Sequence, residues 1–108
     1  MERISFDEWK KIELLTAKIE SVEDIPGKDK LYKISVDAGT EKRTIVAGIK
    51  GHYSKEELEG KTVILLANLK PRKIAGIESN GMLMAVLEGN NMSVLTTDKK
   101  MQSGIRVE

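Results

Sequence analysis

A chain of 108 residues is long enough for one domain with a single core. Charged residues make up 32% and aromatic residues 4%, so that core must come from Ile, Leu, Val and Met, and the absence of cysteine excludes disulfides, cysteine zinc sites and thiol catalysis. The formal net charge is +1, so any strongly positive surface is local rather than global.

The chain opens with Ile4-Ser5-Phe6-Asp7-Glu8-Trp9, the pattern of a helix start. Ser5 caps the first turn, Glu8 reaches back three residues later, and Ile4 and Trp9 stand where a hydrophobic staple forms. The opening MERISFDEWKK lacks the apolar stretch of a signal peptide, and no run of about 18 apolar residues follows, so a cytoplasmic protein without a membrane span is expected. Leu14 to Asp24 is the first expected strand, with Leu15, Ala17 and Ile19 on one face and Thr16, Lys18 and Glu20 on the other. Ile25 to Lys30 is turn chemistry around Pro26-Gly27. Leu31 to Ala38 alternates, with Tyr32, Ile34, Val36 and Ala38 facing inward. Gly39 to Lys42 then closes a hairpin and Arg43 to Ala47 forms a third strand.

Ser54 with Glu57 makes a second capping box, and Gly60 is its stop. Lys61 to Leu69 reads as strand four and Gly81 to Glu88 as strand five. Gly89-Asn90-Asn91 is a turn, and Met92 to Thr97 and Gly104 to Val107 lie beyond. One short helix between the third and fourth strands of an otherwise β chain is the order of a five-stranded OB-fold barrel, an all-β fold. The expected organisation is one domain over residues 1–108, with its core at about 12–89 and a C-terminal extension at about 90–108.

The most informative stretch is Thr62 to Glu88, TVILLANLKPRKIAGIESNGMLMAVLE. An apolar run gives way at Lys70 to a loop holding Lys70, Arg72 and Lys73, and becomes apolar again at Met82. Pro71 ends the strand before it, and Gly76 and Gly81 allow a ligand backbone to come close. Asn68, Ser79 and Asn80 add neutral donors and acceptors. Such a loop joins strands four and five, where OB folds bind oligonucleotides together with the one–two loop and the face of strands two and three. Lys28 to Lys30 fall in the one–two loop, and Lys33 and Arg43 on the solvent side of strands two and three. The convergence points to nucleic acid, against the plainer reading of a solvated lysine-rich loop. Catalysis finds little support: His52 is the only histidine, no nucleophile elbow accompanies it, and Asp24, Asp29 and Asp37 lack the spacing of a metal loop.

The segment ANLKPRKIAGIESNGMLMA resembles the signature of the tRNA-binding domain found at the C-terminus of many methionyl-tRNA synthetases and in stand-alone structure-specific tRNA-binding proteins. DKLYKISVDAG, RTIVAGI and TDKKMQSGIRV follow the same family's order, so the resemblance covers nearly the whole chain. It departs from the family at Glu13 to Ala17, where relatives read D-x-R-V-G, and at Ile25-Pro26, where many carry His-Pro.

The resemblance implies binding to tRNA shape without catalysis or cofactor. Asn68, Lys70, Arg72, Lys73, Ser79 and Met82 match positions tied to binding in the family, and Lys30, Lys33 and Arg43 join them from the barrel geometry. It also implies service to methionyl-tRNA synthetase, as its C-terminal domain or a separate subunit, and a homodimer. Met92, Val94, Leu95, Ile105 and Val107 offer apolar surface for two copies to share. The alternatives are a dimeric OB-fold chaperone linked to protein export, which binds unfolded polypeptide, and a protein-interaction scaffold with an incidental basic loop. For Met82 a core position is the simpler expectation.

Overall fold

Both expected capping boxes are present in a computed structural model that describes all 108 residues. Ser5 and Glu8 bracket α1 (Phe6–Trp9), and Ser54 and Glu57 bracket α2 (Lys55–Leu58). Each serine hydroxyl accepts from the backbone N–H three residues on, and each glutamate carboxylate accepts from the serine N–H. The two helices serve different ends. α1 buries no residue, whereas α2 drives Leu58, fully buried, into the core.

The rest is β structure. β1 (Leu14–Ile25), β2 (Lys28–Asp37), β3 (Lys42–Ala47), β4 (Thr62–Leu66) and β7 (Met82–Leu83) form one sheet in the order β3-β2-β1-β4-β7. β5 (Arg72–Ile74) pairs with β6 (Ile77–Ser79), and β8 (Ala85–Glu88) with β9 (Asn91–Val94), as separate two-stranded ribbons. The turn between β1 and β2 is tighter than expected. Ile25 pairs with Lys28, so only Pro26 and Gly27 turn, with Gly27 at φ 75°. Lys28 to Lys30 therefore belong to β2 and not to a loop.

The alternation read for β2 holds: Tyr32, Ile34, Val36 and Ala38 are all buried. In β1 the pattern of Leu15, Ala17 and Ile19 changes partway. The pairing runs Ile19 to Val36 and then Ser21 to Ser35, leaving Glu20 as an extra residue. This bulge passes the core face from Ile19 to Val22 and bends the strand around the core. The core is built on Ile19, Ile34, Ile45, Leu58, Leu65, Val36 and Val63, all fully buried.

Two expected strands are shorter than their apolar runs. β4 ends at Leu66, with a turn over the next residues, although Ala67 N–H still bonds Glu13 O in register with the β1 ladder. The fifth strand breaks at Met84, whose N–H donates to Ile64 O and whose carbonyl accepts from Leu95 N–H, freeing β8 to pair with β9. The C-terminal extension packs onto its own sheet. Thr16 anchors it with every polar group it has: its N–H bonds Ile105 O, its carbonyl accepts from Gly104 N–H, and its hydroxyl serves Gln102 O and Ile105 N–H.

No ladder joins the sheet's two outer strands, so the expected closed barrel is seen here as an open five-stranded sheet. The gap is spanned by other bonds. Asn80 N–H donates to Thr44 O at 2.9 Å, and Val46 N–H donates to Ser79 Oγ at 2.9 Å. Gly81, at φ 119°, lies against Leu65 and Leu66, where an added Cβ would stand 3.0 Å from the Leu66 carbonyl.

Candidate nucleic-acid interface

The basic segment is not an irregular loop. Arg72, Lys73 and Ile74 pair with Ser79, Glu78 and Ile77, and the chain reverses through Ala75 and Gly76 at φ 53° and 77°. Two successive positive φ values make the tight reversal that suits a two-residue hairpin, and glycine accepts its position there freely. Strand geometry then decides where the cations go. Side chains alternate between faces, so Arg72 and Ile74 share one face and Lys73 takes the other.

Arg72 and Ile74 face a groove of about 290 Å³, completed by Leu31, Val46, Met82 and Met92. Arg72 is the only charged residue on its wall. Lys70, Arg72 and Lys73 are all exposed, and none lies within 4.0 Å of a carboxylate. Glu78 stands opposite Lys73 in register without forming an ion pair. Lys30 is likewise exposed and unpaired, but it precedes Leu31 in β2, so strand alternation turns it to the face opposite the groove wall.

The remaining expected site residues divide. Met82 is 38% exposed and lines the groove, so it is not the core gap-filler that its residue type suggests. Lys33 lies on the outer face of β2 as expected, directly opposite Glu23, with Nζ 3.8 Å from that carboxylate. Arg43 does not lie on the solvent face. It pairs with Val36, which puts it on the core side of β3, and its guanidinium is bound to Glu41 and to the Ala67 carbonyl. Arg43 thus ties the sheet's far edge to the end of β4.

Ser79 is 4% exposed, and its hydroxyl accepts from Val46 N–H and donates to Gly81 O at 3.4 Å. Asn68 is exposed, yet both arms of its amide are engaged. Oδ1 accepts from Glu13 N–H at 2.9 Å and Nδ2 donates to Lys11 O. Arg106 donates to Lys10 O and Ile12 O, so residues 10–13 are strapped by Asn68 from the loop before the hairpin and by Arg106 from the C-terminal segment.

Sequence reasoning passed over the groove's own wall. One signal was available: Leu31 and Val46 are apolar on strand positions that face outward beside Lys33, Ser35 and Thr44. Apolar residues grouped on an otherwise polar outer face, unlike single ones, mark a covered or ligand-contacting patch. The shifted titrating groups do structural work. Asp24 is held below the usual carboxylate range by hydrogen bonds from Lys50 and Lys55, which fasten the end of β1 to the segment around α2. Lys55 is raised by the same contact, and Glu57 is lowered by its cap bonds with Ser54.

A family model described as "Putative tRNA binding domain" matches residues 14–106. Methionine–tRNA ligase of Pyrococcus horikoshii is 47% identical over 107 residues, covering 99% of this chain and 15% of that protein. Methionine–tRNA ligase of Thermotoga maritima is 46% identical over 104 residues, 96% of this chain and 16% of the ligase. The chain therefore spans only about a sixth of these relatives. Among solved structures, a MetRS related protein from Pyrococcus horikoshii superposes with a TM-score of 0.93 at 38% identity over the whole of both chains. A CsaA chaperone protein from Picrophilus torridus superposes with a TM-score of 0.89 at 26% identity, over 98% of this chain and 100% of that one.

Proposed function

The chain belongs to the tRNA-binding-domain family, and on that premise we propose that it binds folded tRNA through the β5–β6 hairpin and the groove beside it, without catalysing a reaction. The observation that carries this reading is the set Lys70, Arg72 and Lys73, exposed and without a carboxylate partner. Phosphate contacts from such cations supply affinity and fix register. Lys30 adds positive charge on the other face of β2, and Lys33, on the face of Leu31, adds less because Glu23 stands opposite. In this reading Asn68, Ser79 and Arg43 hold the hairpin and the wall behind it, and Met82 meets the RNA from the groove. The bonds from Asn80 to Thr44 and from Ser79 to Val46 support treating the sheet as an OB-type barrel closed without a ladder.

The similarity to methionine–tRNA ligases supports a role beside methionyl-tRNA synthetase in the cytoplasm, as its terminal domain or as a separate subunit that strengthens its hold on tRNA. We place a homodimer in the same proposal. The five C-terminal residues offer it little surface, because Val94 is buried, Met92 packs on the core, and among them only Ile105 is substantially exposed. Ile4 and Phe6 at one end, with Val86 and Leu87 on β8, are the larger exposed apolar groups. Light scattering at tens of micromolar, a concentration suited to modest interfaces, gives twice the monomer mass if this is right and a single mass if it is not.

Gel shifts of tRNA at several salt concentrations test the central reading. Three to five neutralised phosphates give a logarithmic slope of about −2 to −5, and folded tRNA competes better than the same RNA unfolded. A slope near zero would refute the phosphate contacts. The likeness to CsaA chaperones, together with the apolar groove, favours one second reading, a binder of unfolded polypeptide. It predicts that an unfolded protein displaces tRNA and is protected from aggregation.

A further inference from the structure

Phosphate contacts do not by themselves determine which part of the RNA enters the groove between β3, β5 and β7. Its volume of about 290 Å³ lies just under the range of small-molecule sites, roughly 300–1,000 Å³, so it takes one planar ring system and not a stacked series. Val46, Ile74, Met82 and Met92 make an apolar wall. Arg72 is the single charge on that wall, and its guanidinium makes no ion pair or hydrogen bond within the chain. An apolar slot with one free cation on its wall suits a ligand that is flat and apolar on one side and anionic on the other. A nucleotide taken out of its stack has that chemistry, since its base has an apolar face and its ribose carries a phosphate. An apolar peptide side chain would fill the slot but leave Arg72 uncompensated above it.

We propose, building on the tRNA-binding reading, that this groove receives one unstacked nucleobase of the bound RNA against Met82 and Ile74, with the adjoining phosphate on Arg72. Hairpin alternation gives the proposal its selectivity among cations. Arg72 faces the groove and contacts the seated nucleotide, whereas Lys73, on the opposite face, contacts only backbone phosphate outside it.

Protein with ¹³C-labelled methionine methyls tests this directly, because Met82 and Met92 line the groove while Met1 and Met101 lie exposed away from its wall. Folded tRNA shifts the Met82 and Met92 methyls upfield, as a ring held over them must, and leaves Met1 and Met101 in place. Millimolar adenosine 5′-monophosphate produces the same shifts and ribose 5-phosphate does not. Met82→Ala and Arg72→Lys each weaken tRNA binding about five- to tenfold, the lower part of the stacking range, with the salt slope unchanged because no charge is lost. Lys73→Ala lowers the slope by about one and keeps the methyl shifts. Met82 is exposed enough for its alanine variant to fold, and Arg72→Lys provides a second variant at an exposed position. The proposal is overturned if tRNA binds with its salt slope intact while the two groove methyls stay still. It is equally overturned if an uncharged apolar peptide shifts them and adenosine monophosphate does not, which assigns the groove to polypeptide. Absence of any tRNA binding defeats the tRNA-binding reading and this proposal together.

Discussion

Replacing Ser79 with alanine separates two roles that its residue type leaves open. As an RNA contact, the hydroxyl would matter for affinity and not for folding. The structure gives it the opposite work: it is buried, and it accepts the Val46 N–H at 2.9 Å across the gap between β3 and the β6–β7 segment. Ser79→Ala leaves that N–H buried without a partner, a loss of about 1–3 kcal/mol. The donation to Gly81 O is 3.4 Å long and adds little. For a domain of this size each kcal/mol moves Tm by about 4–8 °C, so a fall of about 4 to 24 °C is expected. Urea unfolding followed by circular dichroism measures the free energy, and a thermal scan measures Tm. Affinity for tRNA falls only as far as the hairpin loosens, with its salt slope preserved. A variant within about 0.5 kcal/mol of the parent that nonetheless binds tRNA poorly would refute the reasoning and return Ser79 to the RNA surface.

Replacing Lys70, Arg72 and Lys73 together with alanine changes stability by less than about 0.5 kcal/mol and flattens the salt slope for tRNA by about two to three. Unchanged binding at several salt concentrations would remove the hairpin from the site. Gly104→Ala puts a Cβ 2.8 Å from the Gly39 Cα and 2.9 Å from the Ala38 carbonyl at φ 80°. The C-terminal segment then lifts from β1, and hydrogen exchange at the Gly104, Ile105 and Val107 amides speeds up. Leu58→Ala empties a fully buried site beneath α2 and costs about 2–5 kcal/mol in urea unfolding. Asp24 sets an acid limb. Its folded pKa lies below the ordinary 3.8, so its contribution is present above that pH and is lost as pH falls through the folded value. Asp24→Asn is therefore less stable than the parent near pH 6, and the gap closes at lower pH. Urea midpoints across that range check it.

The sequence by itself determined whatever is made by neighbours along the chain. Ser5 with Glu8 and Ser54 with Glu57 cap within three residues, and Pro26-Gly27 marks a turn, whose two-residue length only the pairing of Ile25 with Lys28 fixed. The alternation of Tyr32, Ile34, Val36 and Ala38 needs only the period of an extended backbone. The stretch NLKPRK with SNGML identified the family for the same reason, as a contiguous signature.

Tertiary structure decided everything that depends on which strand edge comes to rest beside which. The bulge at Glu20 exists because β1 must bend to cover the core, and it moves the buried face in a way that alternation alone misses. Arg43 reads as a solvent cation until its register with Val36 turns it toward Ala67. Ser79 and Asn68 are polar groups whose structural partners lie 33 and 55 to 57 residues away, at Val46, Glu13 and Lys11, beyond the reach of local pattern. A polar side chain carries no mark of whether a distant backbone group will claim it. Only the folded arrangement, which must satisfy every buried N–H and carbonyl at once, assigns some polar residues to the frame and leaves Lys70, Arg72 and Lys73 free for a ligand.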